Sequence, residues 1–90
     1  MYEIIFSTKF KKDYKNCLKR NYDISLLQTV ITKLANEQTL ESYHCDHKLA
    51  GEYGDFRECH IKPDWLLVYQ TDKNKNTLSL VRTGTHSDLF

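Results

Sequence analysis

The sequence predicts an α+β domain of order β-α-α-β-β-β, with a two-helix hairpin packed on one face of a mostly antiparallel, twisted sheet. Three observations carry this. Two apolar stripes at helical spacing lie between Ser7 and Asn36. Three runs of strand-like composition follow between Asp55 and Thr83. The polar tetrad Asp72–Lys73–Asn74–Lys75 separates the last two runs closely enough to join them as a hairpin. With 90 residues the chain reads as one domain, 1–90, able to form one modest core without disulfide staples.

Each element has a local reason. Tyr2 to Phe6 is β-branched and aromatic, and reads as a short strand. Ser7 or Thr8 caps the helix that follows, whose apolar stripe is Phe10, Tyr14, Cys17 and Leu18. Asn21 interrupts it, and Asp23 caps a second helix that buries Ile24, Leu27, Val30, Ile31 and Leu34 and ends near Asn36. Glu37 to Asp55 is a polar connection, unusually long for so small a domain, and long connections tend to carry function. Three strands close the fold: Asp55 to Lys62, Trp65 to Thr71 and Asn76 to Thr83. The most apolar of these, Leu66–Tyr69 and Leu78–Val81, belong in the sheet interior. The pairing partner of the first strand is not specified by any local pattern.

Composition excludes several classes. No apolar run approaches the roughly 20 residues that span a bilayer, and the N-terminal stretch lacks the apolar segment of a secretory signal. A cytoplasmic protein is expected. Three cysteines without paired spacing, Cys17, Cys45 and Cys59, read as reduced thiols. The net charge of +1 hides an asymmetry: residues 1–20 carry +4 and the remainder −3. The basic first helix is either a solvated face or a surface for phosphates or an acidic partner.

The chemistry concentrates in Arg57–Glu58–Cys59–His60–Ile61–Lys62–Pro63–Asp64–Trp65. Strand alternation puts Cys59 and Ile61 toward the core and Glu58 and His60 toward solvent or a cleft. Pro63 cannot donate to a ladder, so the strand stops there, Asp64 occupies a tight corner and Trp65 opens the next strand. All four histidines lie in the second half: His44 and His47 in the long connection, His60 on this strand, and His86 beyond the last one. Imidazole both gives and takes protons near neutral pH, and these positions can converge on one end of the uncovered sheet face. Arg57 and Arg82 could grip a phosphate or pair with a sheet neighbour. Trp65 and Phe90 could stack on nucleobases, Trp65 with core packing as the equal alternative. A zinc site built from His44, Cys45, His47, Cys59 and His86 is a rival reading, weakened by the absence of paired cysteines.

The combination Asp46–His47, Leu49, Gly51, Phe56–Arg57–Glu58–Cys59–His60, Pro63–Asp64–Trp65, Leu67, Tyr69 and Arg82–Thr83–Gly84–Thr85–His86 with Leu89–Phe90 resembles the YafQ-type toxins of the RelE superfamily. The resemblance covers nearly the whole chain and is strongest from Asp46 onward. It implies a ribosome-dependent endoribonuclease that cleaves mRNA in the ribosomal A site and is neutralised by a cognate antitoxin protein. It implies His47, His60, Asp64 and His86 as the acid–base set, with Trp65 and Phe90 serving substrate binding or catalysis; Glu58 and Arg82 are read as further substrate contacts, and the chemistry, with RNA supplying its own 2′-OH, fits these residues without metal or other cofactor. Two positions depart from the family pattern: Glu58 stands where an aspartate is expected, and Lys48 where proline is common. The alternatives are a non-catalytic RNA-binding module, an inactive homologue of the toxins, and the zinc-dependent hydrolase.

Overall fold

Ser7 ends the first strand and starts the first helix. Its hydroxyl accepts the Phe10 amide at 3.0 Å and donates to the Val81 carbonyl at 2.8 Å, which ties the helix start to the last strand. In the computed structural model, which describes residues 1–90, the elements run β1 (Glu3–Phe6), α1 (Thr8–Lys19), α2 (Ile24–Ala35), β2 (His47–Lys48), β3 (Arg57–Lys62), β4 (Trp65–Asp72), β5 (Thr77–Gly84) and α3 (His86–Leu89). Asp23 caps α2 through the Ser25 amide, as its position before the apolar stripe predicts. The strand boundaries fall within two residues of those expected, and no helix is long and apolar enough to cross a membrane.

The sheet order is β1-β5-β4-β3-β2. β1 lies parallel to β5, with Glu3 opposite Thr77 and Phe6 opposite Leu80; every other pairing is antiparallel. The two apolar runs therefore sit inside the sheet, as expected. Asp72 closes their hairpin by accepting the amides of Asn74 and Lys75 at 2.9 and 3.1 Å. A bulge interrupts β5: Tyr69 faces Leu80 while Val68 faces Arg82, which leaves Val81 as the extra residue. The Ser7 hydroxyl on the Val81 carbonyl satisfies a group that the bulge takes out of the ladder.

Helices α1 and α2 cover one face. Phe10, Cys17, Leu27, Val30 and Leu34 meet Cys59, Ile61, Trp65, Leu67, Tyr69, Leu78 and Leu80 in one buried cluster. The stripe on α1 is narrower than predicted. Leu18 is 49% exposed, whereas Asp13, one turn after Phe10 and one before Cys17, is buried. Asp13 is held there by the Arg82 guanidinium at 2.6 and 3.0 Å and the Thr83 amide at 3.1 Å, which compensate the cost of burying its charge. The long connection is ordered by two short 3₁₀ turns, Ser42–His44 and Gly51–Tyr53, with β2 between them. Tyr69 donates its hydroxyl to Asp46, and Arg57 pairs with the same carboxylate at 3.3 Å, which anchors the connection to the sheet.

Candidate active site

Pairing across the sheet brings the histidines together. His47 on β2 lies opposite Glu58 on β3; His60, two residues on, shares the face of Glu58 and lies opposite Leu66, which in turn faces Gly84. Gly84 leads into α3 and His86. The ring centroids of His47 and His60 are 6.4 Å apart, and those of His60 and His86 are 5.8 Å apart. Three imidazoles thus form a row along one end of the sheet.

Each ring is held. His47 Nδ1 donates to the Cys45 carbonyl at 2.7 Å, a bond that requires the proton on Nδ1 and leaves Nε2 toward Glu58 Oε1 at 3.7 Å. His86 Nδ1 donates to Asp64 Oδ1 at 2.8 Å, and the same oxygen accepts the His86 backbone amide at 3.0 Å. These two bonds, the amide's first and the ring's second, hold the Asp64 carboxyl below its ordinary range. Asp64 therefore stays ionised and leaves Nε2 of His86 as the nitrogen available to exchange a proton. His60 Nε2 lies 3.5 Å from Glu58 Oε1.

The expected residues divide into two groups. His47, His60, Asp64 and His86 converge, but Asp64 engages His86 and not His60, because the β3–β4 corner opens toward the start of α3. Glu58 is not solvent-facing; it is 6% exposed between two imidazoles. Trp65 is not a stacking platform. It is 3% exposed, packs on Tyr22 at 4.8 Å and donates its indole N–H to Thr83 Oγ1 at 3.0 Å, because the inward pleat of β4 takes it into the helix-facing core. Arg82 shares the face of Glu58 and Val68, yet Nε and Nη2 of its guanidinium are engaged by Asp13. Phe90 is 59% exposed and touches Tyr53 edge-on at 5.8 Å.

The zinc set read from the sequence does not assemble. His44 is buried and donates Nδ1–H to the His60 carbonyl at 2.7 Å, and Cys59 sits in the helix-facing core. Burial pushes the Cys59 thiol up to about 12, so it is no nucleophile either. The donors that do approach one another are Glu58, His60 and His86, with one ligand atom from each within 4.8 Å of the others.

Three contributing residues escaped the sequence reading. Asp13 is a charge inside an apolar stripe, and that position was its signal. Asp88 follows Thr85 in a capping-box spacing, with the Thr85 hydroxyl accepting the Asp88 amide at 3.1 Å and Asp88 Oδ2 accepting the Thr85 amide at 2.9 Å. Arg20 grips Asp88 with both ends of its fork, at 2.6 and 3.1 Å, a contact across 68 residues with no local signature.

Residues 2–90 match the family described as bacterial toxin of type II toxin-antitoxin system, YafQ. The mRNA interferase toxin YafQ of Escherichia coli K12 is 39% identical over 90 residues, covering 98% of this chain and 95% of that protein. A metal-bound toxin from Helicobacter pylori superposes with a TM-score of 0.95 at 53% identity, over 100% of both chains. YafQ in the E. coli DinJ–YafQ complex superposes with a TM-score of 0.91 at 35% identity, over 100% of this chain and 99% of that one.

Proposed function

Because the chain belongs to the YafQ family of bacterial type II toxins, we propose that it is an mRNA interferase that cuts mRNA in the ribosomal A site by metal-independent acid–base catalysis and is neutralised by a cognate antitoxin, as the E. coli relative is partnered by DinJ. The observation that carries the mechanism is the row of three imidazoles with His86 oriented by Asp64.

RNA supplies its own nucleophile, the 2′-OH beside the scissile phosphate. A base takes its proton, the O2′–P bond forms, the P–O5′ bond breaks, and an acid delivers a proton to the departing O5′. The products are a 2′,3′-cyclic phosphate and a 5′-OH. His60, with Nε2 3.5 Å from Glu58 Oε1 in the middle of the row, suits the base. His86 suits the acid. With Nδ1 fixed on Asp64, its Nε2–H is aimed and ready for the leaving oxygen. His47 Nε2, on the other side of His60, is placed to meet the phosphate. Arg82 serves the phosphate through Nη1, the one nitrogen of its fork not committed to Asp13. Phe90, exposed at the end of α3, offers a ring on which a base can stack.

Dependence on the ribosome agrees with the shape of the site. The His47 and His86 side chains are open to solvent, 50% and 55% accessible. A shallow catalytic row gains most when its substrate is held in place by another body, because orientation is a large part of the barrier.

The test is primer extension on mRNA in a translation extract, comparing wild type with His86→Ala, with and without chelator. Discrete cuts that need ribosomes, survive the chelator and fall by about 10²–10⁴ in the variant support the reading. Cuts abolished by the chelator would transfer the chemistry to a metal hydrolase. Retention of RNA without cleavage by the folded wild type would leave a binding module or an inactive toxin.

A further inference from the structure

We propose that His44, a buried imidazole outside the row of reacting groups, is a positioning residue: the short 3₁₀ turn that carries it brackets His60 and His47 and sets the distance between them. Its service to RNA cleavage rests on the nuclease reading above; the bracket itself does not.

The bond comes first. His44 Nδ1 lies 2.7 Å from the His60 carbonyl oxygen. A carbonyl only accepts, so the proton sits on Nδ1 and the tautomer is fixed. The residue is buried, with its ring against Tyr43 at 4.5 Å between centroids. A buried polar ring needs a partner, and this one finds it on the backbone of the middle histidine of the row.

The place of that carbonyl in the sheet gives the bond its purpose. β2 is two residues long and lies opposite Glu58 and Arg57 only. Antiparallel pairing of His47 with Glu58 carries the residues before His47 along β3 toward His60. There the edge of β3 has no strand beside it, and the His44 donor takes the place of one. On its other edge β3 pairs with β4, and the register shifts between His60 and Lys62. His60 is thus pinned where its strand lacks a neighbour on one side and regular pairing just beyond it on the other.

The same turn holds a second member of the row. It ends at Cys45, in the left-handed region at φ 48° and ψ 44°, and the Cys45 carbonyl accepts the His47 Nδ1–H at 2.7 Å. Adjacent residues therefore fix two imidazoles, His44 through the backbone of His60 and Cys45 through the ring of His47. The 6.4 Å between those rings is the span of the bracket. A phosphate met by His47 while His60 takes the neighbouring proton tolerates little change in that span, since misplacement by about an ångström costs up to about 10²-fold in rate.

Three variants test this beside the wild type. His44→Leu removes the donor. His44→Gln carries it one methylene too far. His44→Asn keeps a side-chain N–H where Nδ1 stood. Nitrogen-15 imidazole spectra of the wild type should show His44 as the Nδ1–H tautomer. The leucine and glutamine variants should move the His47 and His60 ring signals together, and the asparagine variant should return both. Cleavage of ribosome-bound mRNA should lose up to about 10²-fold in kcat in the first two, with KM little changed, and recover most of it in His44→Asn. An Nε2–H tautomer at His44, or ring signals unmoved in the leucine and glutamine variants, would overturn the bracket. Lower thermal midpoints with wild-type kcat per folded molecule, or a folded His44→Asn as slow as His44→Leu, would overturn the positioning role. If His44→Leu does not fold, the glutamine and asparagine variants, one methylene apart, still decide. Ring signals displaced as described, in a protein that cuts RNA under no condition, would overturn the nuclease reading and leave the bracket standing.

Discussion

At Asp64 a single oxygen sets both a backbone turn and a ring. Oδ1 accepts the His86 amide and the His86 Nδ1–H, so the position of the residue and the tilt of its imidazole are fixed together. This pair was only half legible in the sequence. Alternation along β3 placed Glu58 and His60 on one face, but nothing local indicates that the corner at Asp64 reaches a residue 22 positions later. Trp65 marks the opposite case, a residue whose chemistry suggested substrate and whose pleat dictated core. Its variants separate the two roles. Trp65→Ala should cost about 3–5 kcal/mol, because it empties a packed site beside Tyr22. Trp65→Phe should cost roughly 1–2 kcal/mol, since it surrenders the bond to Thr83 and some contact with Tyr22. Urea midpoints measure both, and cleavage per folded molecule should be unchanged in the phenylalanine variant. A large loss of cleavage at unchanged stability would return Trp65 to the substrate.

Among the elements, α3 is the one whose placement matters most to the proposed catalysis and whose own length contributes least. Four residues make no stable helix alone. It is fixed by its capping box, by the Arg20–Asp88 fork from the end of α1, and by Gly84, whose φ of 154° turns the chain out of β5. A Cβ at Gly84 would stand 2.8 Å from Asp88 Oδ2, so the turn and the cap exclude any larger residue. Arg20→Ala should leave the sheet and the long helices intact and stability little changed, as exposed pairs do. Cleavage should fall by up to about 10²-fold, the typical result of misplacing a reacting group by an ångström. Far-ultraviolet circular dichroism beside the cleavage assay checks this, and equal activity would show α3 to be held without Arg20. Strands and long helices were legible because each carries its own period and caps. β2 was not, since two residues have no period, and the bulge at Val81 was not, since it serves a distant hydroxyl on Ser7.

At the scale of the whole molecule, the first strand joins the last. The partner of β1 could not be read because the pairing spans 74 residues and rests on no turn. Residues 1–20 are basic and belong to β1 and α1, while the histidine row lies at the β2–β3–α3 end of the sheet. The β1–β5 closure also governs when the protein comes into being. A chain under synthesis folds from its N-terminal side, yet here β1, and the α1 that packs on β5, find no partner until Leu78 and Leu80 have emerged. Chains stalled with Thr77 still inside the exit tunnel should be cut readily by a protease, and chains with Phe90 clear of it should resist; early resistance would place the nucleus elsewhere. The last histidine of the row emerges later still. Birth and activity are thus separated in time: the ribosome that makes this protein has read past the codon for His86 before it holds the full row proposed to cut a message.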